Sequence, residues 1–488
     1  MNRFLSILTR ERQVFIATIL FMLVNAILVA NEWYYLSLLP AALFVVYLAF
    51  VSLDRLVYVV VFLVPISVPL EEYVSSLGFN VQLPTEPILV AILFLFFFKL
   101  IRERSFDGEV LLHPVSLAIY FNLFWMFITA ITSTMPIVSF KFIISRLWFL
   151  ATFYFIATQL FTNKTNIRRY VWVFMPMLMV VIGYAFVHMA QAGFLNQQKA
   201  HLSAHPFFND HTSYGCILAM VLPFMVGFAL NRKFSIPLLL LSRILVVILL
   251  AALLLSYSRA AWISIFVVSG VAIIMLLKIK FRTILLFSLV AGALVYSFRT
   301  EIFMDLEHNK QNSSKDLAQH IQSISNIRTD DSNVERLNRW KSAFRMFKEK
   351  PVLGWGPGTY MFNYAPFQLY KDKTSISTNR GDHGNAHSEY IGPLAESGIL
   401  GALSFILIGI ITLTTGIRLY SRAEGHWQTK MLIFAAVLGL ITYYTHGALN
   451  DFLDTDKASC LFWGYTAMIV SLDVYHVKKA KTAELPTL

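Results

Sequence analysis

The chain is a succession of apolar runs, and this pattern restricts its fold more than any other feature. Each run is about 17 to 25 residues long and is bounded by charge, proline or glycine, a length that lets an α-helix cross the hydrocarbon core of a bilayer. Of the 488 residues, 57% are hydrophobic and only 14% are charged, whereas soluble domains carry about 25% charged residues. The sequence therefore predicts an all-α polytopic membrane protein.

These runs predict about 14 membrane-spanning helices. The predicted spans are 14–30, 34–51, 56–70, 87–101, 114–131, 142–161, 170–190, 213–230, 237–255, 260–277, 283–298, 390–416, 431–449 and 458–474. They divide the chain into helices 1–11 within residues 1–298, a large loop at 299–389, and helices 12–14 with a C-terminal tail at 390–488.

Positive charge is concentrated in alternate connections between the predicted spans. The net charge is +12, and lysine and arginine cluster in connections such as 99–104, 164–169 and 278–282, whereas the intervening connections are neutral or acidic. By the positive-inside rule the basic connections face the cytoplasm. Both termini are then cytoplasmic and the 299–389 loop lies outside. The basic charge is explained without a nucleic-acid partner.

The large loop contains an amphipathic helix, predicted near 333–349. Apolar residues recur there at three- and four-residue spacing, whereas Arg336 and other basic residues occupy the polar face. Pro351 follows the helix and is expected to end it. We expect this helix to lie on the outer membrane surface or to cover a cavity there. Its apolar residues are Leu337, Trp340, Phe344 and Phe347.

The loop re-enters the membrane through a turn-rich stretch that leads to a histidine. Gly354, Gly356 and Gly358 favour a tightly folded backbone. His387 directly precedes a predicted span, where the positive end of the helix dipole favours a neutral imidazole. A neutral imidazole can act as general base toward a hydroxyl. The alternative is a histidine that caps the helix or bonds the loop backbone.

Two arginines on the same predicted face are candidates for binding phosphate. Arg259, in the segment SYSRAAW, lies at the outer end of a span, and Arg336 lies on the loop helix. Arginine binds phosphate oxygens through a planar, permanently charged fork. Arg259 alone is equally typical of a snorkelling interfacial arginine. Arg336 alone is more typical of a solvated charge on the polar face of a surface helix. Two arginines and a histidine on one face favour a phosphate site.

The shorter outer loop before the span at 213–230 also carries polar residues. His201, His205 and His211 with Asp210 suggest a metal site, but their spacing matches no standard one. We therefore predict neither a metal nor another cofactor. His446, Asn450 and Asp451, near another outer helix end, rank behind the other candidates. Residues expected to line the same outer cavity are Asn209, Asp210, His211, Trp340 and Ser388.

Three segments together resemble the O-antigen ligase superfamily, which also contains Wzy-type polysaccharide polymerases and O-oligosaccharyltransferases. SYSRAAW is similar to the family's Ser-Arg-Gly segment, with Ala260 where glycine is common. ERLNRW followed by PVLGWGPGTY resembles the family's Arg, three residues, Trp and then a glycine-rich turn. His387-Ser388, nine residues, Gly398, two residues and Gly401 fit the ligase pattern.

The resemblance implies a glycan transferase. In this family the donor is a glycan on undecaprenyl diphosphate, presented at the periplasmic face of the bacterial inner membrane, and the reaction needs neither nucleotide nor metal. The resemblance implies that His387 is the general base and that Arg259 and Arg336 bind the diphosphate. A single inverting displacement is the simplest form of the reaction.

The acceptor is left open, because lipid A core, a growing glycan chain and a protein serine all present a hydroxyl. The His-Ser-x9-Gly pattern favours a ligase that uses lipid A core over a Wzy-type polymerase, and a protein O-oligosaccharyltransferase ranks lower. A transporter of lipid-linked glycan would also suit many helices and a few outer arginines. The large asymmetric loop and the lack of two symmetric halves with broken helices argue against transport.

Overall fold

The structure is a computed structural model that describes residues 10–283 and 331–478 with short gaps. The gaps are residues 32, 34, 41–42, 44, 46, 49–51, 73–80, 104–105, 195–199, 281, 375–376, 378–383 and 424–426. The predicted span at 283–298, part of the span at 34–51 and residues 299–330 of the large loop lie outside the described residues.

The chain divides into two compact units, Met1–Leu56 and Val57–Leu488. The first unit contains helix α1, Arg10–Ala30, and a short 3-10 helix, Tyr35–Leu38. The apolar side chains of α1 are largely exposed, as expected for a helix that contacts lipid.

Beyond the first 3-10 helix the described chain is mostly helical. Its helices are α2 Leu53–Leu63, α3 Thr85–Glu103, α4 Gly108–Leu111, α5 Pro114–Ile131, α6 Pro136–Leu160, α7 Lys164–Ala192, α8 His211–Ala229, α9 Ile236–Leu255, α10 Arg259–Leu276, α11 Asp331–Glu349, α12 Tyr360–Asn363, α13 Ile391–Arg422, α14 Trp427–His446 and α15 Asp456–Ser471. Helix α6 contains a π-helical segment at Ala151–Ile156, and another follows α15 at Leu472–Lys478.

Nine helices in the described part of the chain are long and apolar enough to cross a membrane. They are α1, α5, α6, α7, α8, α9, α10, α13 and α15 with its π-helical extension. Each coincides with a predicted span, so the chain is a mostly helical, multi-pass membrane protein. Helices α3 and α14 also coincide with predicted spans. The total of about 14 spans stays a prediction.

The predicted span at 56–70 is wrong in its second half. Helix α2 ends at Leu63, because Pro65 has no N–H to continue the helical hydrogen bonds. The 11 residues of α2 cover only about 16 Å, roughly half of the hydrocarbon thickness. A 3-10 turn, Val64–Ile66, then leads into a two-stranded antiparallel sheet. Its strands are β1 Val68–Pro69 and β2 Gln82–Leu83.

The core of the second unit is built around α15. All of its residues, from Asp456 to Ser471, are buried, and α6, α8, α13 and α14 pack against it. The buried carboxylate at its start is satisfied by hydroxyl groups: Asp456 accepts from Ser67 and Thr85 at 2.6 Å each. Hydrogen bonding of this kind is what makes a buried charge tolerable.

Helix α11 packs over the start of α13 through its own small hydrophobic core. Opposite this face, the Asp372 carboxylate accepts from Lys341 and Arg345 on α11, at 2.6 and 2.5 Å. The helix is therefore held to the loop on two sides. The residues of the core are Ala343, Met346, Tyr360, Tyr364, Ala386 and Ala395.

The turn at 351–358 fits into a break in α13. Gly398 has φ 67° and ψ −167°, which no helical residue adopts, and the break leaves backbone groups of α13 open to the turn. Trp355 N donates to Ala395 O at 3.0 Å, and Ile399 N donates to Pro351 O at 3.0 Å. These bonds join the segment after α11 directly to the helix that follows His387.

Candidate active site

The candidate residues converge where α8, α10 and α13 begin and α14 ends. Four separate segments supply them: the residues before α8, the turn between α9 and α10, helix α11, and the loop at 384–390. The contacts below show how each segment is held.

Arg259 is the first residue of α10 and follows a tight turn. Ser258 caps the helix by accepting from Ala261 N at 3.4 Å, and Tyr257 before it has the left-handed φ of 51°. Gly215 of α8 lets this turn approach closely, since a Cβ added there would lie 2.8 Å from Ser258 Cβ. The turn and the helix cap within SYSRAAW therefore fix the backbone position from which the Arg259 side chain extends.

Asp210 caps α8 and does not simply line a cavity. Its Oδ1 accepts from Thr212 N at 3.0 Å and from Ser213 N at 2.7 Å. Burial acts to raise the pKa of Asp210, but these hydrogen bonds outweigh it and lower the pKa. The neighbouring His211 ring stacks on the His201 ring, with centroids 4.1 Å apart. The cap thereby fixes the position of His211.

Arg259 and Arg336 both act electrostatically on the same side chain, His211. One arginine comes from the start of a membrane helix and the other from the loop helix α11. The two arginines predicted as phosphate ligands thus share His211 as an electrostatic neighbour. An anion placed among them meets two permanent positive charges.

His387 lies in a strained turn directly before α13. Its φ of 48° is left-handed, a conformation that costs non-glycine residues energy and clusters at functional sites. The Asn385 side chain supports the turn by accepting from His387 N at 3.2 Å. Ser388 caps α13, with its hydroxyl accepting from Tyr390 N at 3.3 Å. Ser388 thus has a structural task in addition to its predicted place near the cavity.

Arg339 connects α11 to the His387 loop, a role that its sequence position does not reveal. Its Nη1 donates to Asn385 O at 3.1 Å, and its Nε donates to Glu335 Oε1 at 2.9 Å. Gly384 makes room for the guanidinium, because an added Cβ would lie 2.3 Å from Arg339 Nη1. The i,i+4 spacing from Glu335 predicts the ion pair, but the carbonyl contact depends on the folded loop.

Glu389 connects the same loop to the end of α14. Its backbone N donates to Gly447 O at 2.8 Å, and its carboxylate accepts from Leu453 N at 2.8 Å and from the Tyr443 hydroxyl. Burial, with the Asp454 carboxylate nearby, raises the pKa of Glu389. The His387 loop is therefore bonded to α11 on one side and to α14 on the other.

The surroundings of His387 keep its ring neutral. Burial, followed by the positive charges of Arg339 and Arg336, lowers the pKa of His387 to about 4. The ring is uncharged at neutral pH and can accept a proton. The same arginines that disfavour its protonation are placed to attract an anion.

The other predicted cavity residues differ in their surroundings. Asn209 is exposed, whereas Trp340 is half-buried and its Nε1 has no hydrogen-bond partner among the described residues. Across the described ranges, no three His, Cys, Asp or Glu side chains are grouped so that they could hold a metal ion.

His446 shares electrostatic neighbours with these residues, although the sequence ranked it behind the others. It is the last residue of α14 and is 1% exposed. Asp210, Arg336 and His211 all act electrostatically on its ring. The only signal in the sequence is a histidine and an asparagine four residues apart at a helix end, which is too common to indicate a site.

Comparison with known families agrees with the motif-based resemblance. Residues 244–406 match the family model described as O-Antigen ligase. This range contains Arg259, Arg336 and His387, whereas His211 and His446 lie outside it. No curated protein matches the chain. The match supports the O-antigen ligase superfamily and a membrane enzyme of the ligase or polymerase type.

Proposed function

We propose that this chain, which carries an O-antigen ligase domain, transfers a glycan from undecaprenyl diphosphate to an acceptor hydroxyl, with lipid A core as the favoured acceptor. The observation that supports this best is the setting of His387. His387 is a neutral histidine in a strained turn and lies within electrostatic range of Arg339 and Arg336. Arg336 and Arg259 both act electrostatically on His211. This arrangement suits a base beside a bound diphosphate.

The reaction is a single displacement at the anomeric carbon. His387 takes the proton of the acceptor hydroxyl as its oxygen attacks, and the bond from the anomeric carbon to the diphosphate oxygen breaks. The electron pair of that bond leaves with the undecaprenyl diphosphate. Attack opposite the leaving group inverts the anomeric configuration.

Arg259 and Arg336 stabilise the charge that develops on the leaving diphosphate. Fixed positive groups aimed at a developing charge are among the largest contributions to catalysis. We propose that they do this without a metal ion, at the periplasmic face of the bacterial inner membrane.

The direct test is transfer by the purified protein in detergent with a chelator present. Undecaprenyl-diphosphate glycan and lipid A core are supplied, and the products are separated by size. We expect lipid A core to gain the glycan. Lengthening of the donor glycan in place of this product would identify a Wzy-type polymerase. If the protein only moves lipid-linked glycan across vesicle membranes and transfers none, the enzyme proposal is wrong.

Loss of Arg336 is expected to slow transfer strongly. Replacing one preorganised charge donor costs about 10²- to 10³-fold in turnover, and we expect this loss for Arg336→Ala. Arg336→Lys should recover only part of it, because lysine keeps the charge but lacks the fork. Lys348→Ala removes one exposed positive charge from the same helix and serves as the control. Equal losses in Arg336→Ala and Lys348→Ala would mean that only net charge matters.

Transfer should stay active well below the ordinary pKa of histidine. The acid limb of kcat/KM reports the free enzyme, and we expect it near pH 4, where His387 becomes protonated. A bound diphosphate offsets the arginines and raises the pKa of His387, so the acid limb of kcat should lie about 1 to 3 pH units higher. Acid limbs of kcat and kcat/KM that coincide near pH 6.5 would contradict this setting for His387.

A further inference from the structure

His446 carries a buried ring nitrogen that has no hydrogen-bond partner in the described part of the chain. Among the described residues, no group bonds Nε2 of His446, and the side chain is 1% exposed. A buried polar group without a hydrogen bond destabilises the folded protein. Such groups are rare in native proteins and call for an explanation.

The contact with Asn450 favours one tautomer of this ring. The Asn450 amide nitrogen lies 3.3 Å from Nδ1 of His446, and an amide nitrogen can only donate a hydrogen bond. In the tautomer that fits this contact, Nδ1 accepts and the ring proton is on Nε2. The unpartnered atom is a hydrogen-bond donor that needs an acceptor.

The charged groups around His446 indicate what this acceptor is. Arg336, Asp210 and His211 are the groups that act on the ring. The acceptor oxygen of Asp210 is already used by its own helix, through Thr212 N and Ser213 N. The positive charge of Arg336 acts on the same ring as the neutral N–H donor, and together they match an anionic oxygen.

We propose that His446 binds the diphosphate of the donor as a neutral Nε2–H donor held in that tautomer by Asn450. The inference rests on the proposed function and adds one diphosphate-binding residue, which lies outside the residues that match the family model. Nε2 is closed to solvent by the described residues, so the proposal requires neighbouring side chains to move apart when the diphosphate binds. A hydrogen bond formed there is strong, because the surroundings exclude water.

The test measures binding of farnesyl diphosphate, a soluble prenyl diphosphate, to the full-length protein in detergent. We expect His446→Leu to weaken binding by about 10- to 100-fold, the effect of losing a hydrogen bond to a charged group. His446→Gln places an amide N–H near the Nε2 position and should bind within about fivefold of wild type. His446→Asn is too short to do so and should bind as weakly as the leucine variant.

The control is His188→Leu, which removes an exposed histidine of α7 and should bind as wild type does. The contrast between the glutamine and asparagine variants separates hydrogen bonding from general damage to folding, since both are small polar changes. Equal binding by the glutamine and asparagine variants would overturn the role of His446. So would wild-type binding by His446→Leu when Arg336→Ala is impaired.

The transfer assay separates this inference from the proposed function. If the wild type transfers glycan but His446→Leu binds farnesyl diphosphate normally, only the role of His446 fails. If binding depends on His446 as expected but no acceptor receives glycan, the diphosphate site stands and the proposed function fails. If the wild type does not bind farnesyl diphosphate, the role of His446 is wrong, and transfer by the same sample decides the proposed function.

Discussion

His387→Asn should reduce glycan transfer by about 10²- to 10⁴-fold, the contribution of a positioned general base. Asparagine is the suitable replacement because it adopts the left-handed conformation readily, and His387 has φ 48°. The variant should therefore keep the turn and lose only the base. Single-turnover transfer at saturating donor and acceptor measures the chemical step directly.

Binding of farnesyl diphosphate should change little in His387→Asn, because the arginines remain. His188→Asn makes the same chemical change at an exposed histidine of α7 and should transfer at the wild-type rate. Transfer by His387→Asn within about threefold of wild type would exclude His387 as the base, since a general base contributes at least about 10²-fold.

Gly398→Ala should destabilise the protein by about 2 to 6 kcal/mol, the sum of a strained backbone and of overpacking. Gly398 has φ 67°, and an added Cβ would lie 2.0 Å from Val352 O, a backbone atom that cannot move aside alone. The turn at 351–358 would be forced out of the break in α13. The melting temperature in detergent should fall, and transfer should fall with it because α13 carries the His387 loop.

Gly183→Ala is the matched control for Gly398→Ala. Gly183 lies inside α7 and has no atom within 4 Å of an added Cβ. Alanine there should leave stability unchanged or raise it by up to about 1 kcal/mol, as expected for a helical glycine. If both variants melt at the same temperature as wild type, the turn does not depend on the break at Gly398.

The membrane helices could be read from the sequence because the bilayer demands long apolar runs. Nine predicted spans coincide with described helices of sufficient length. The error at 56–70 arose because Val64, Ile66 and Val68 continue the apolar run, while Pro65 stops the helix. Hydrophobicity alone does not distinguish a spanning helix from an apolar turn.

The site could be predicted only where a motif or a resemblance marked it. Arg259, Arg336 and His387 were found in this way, and their roles stay predictions. Arg339 was missed and His446 was ranked behind the other candidates, because their partners, Asn385 O and the residues around the end of α14, come from distant parts of the chain. Asp210 was assigned to the cavity, although an aspartate two and three residues before Thr212 and Ser213, at the start of a helix, is a typical helix cap.

In the proposed mechanism the arginines near His387 also bear on how the catalytic cycle is completed. There the histidine carries the acceptor's proton after each transfer, and it must lose this proton before it can act again. While the diphosphate is bound, its negative charge stabilises the imidazolium. Once the diphosphate departs, Arg339 and Arg336 again face the charged ring, and with burial they return its pKa to about 4. Neutral pH is then well above the pKa of the imidazolium, which loses its proton, so in the proposed mechanism release of the lipid product itself regenerates the base.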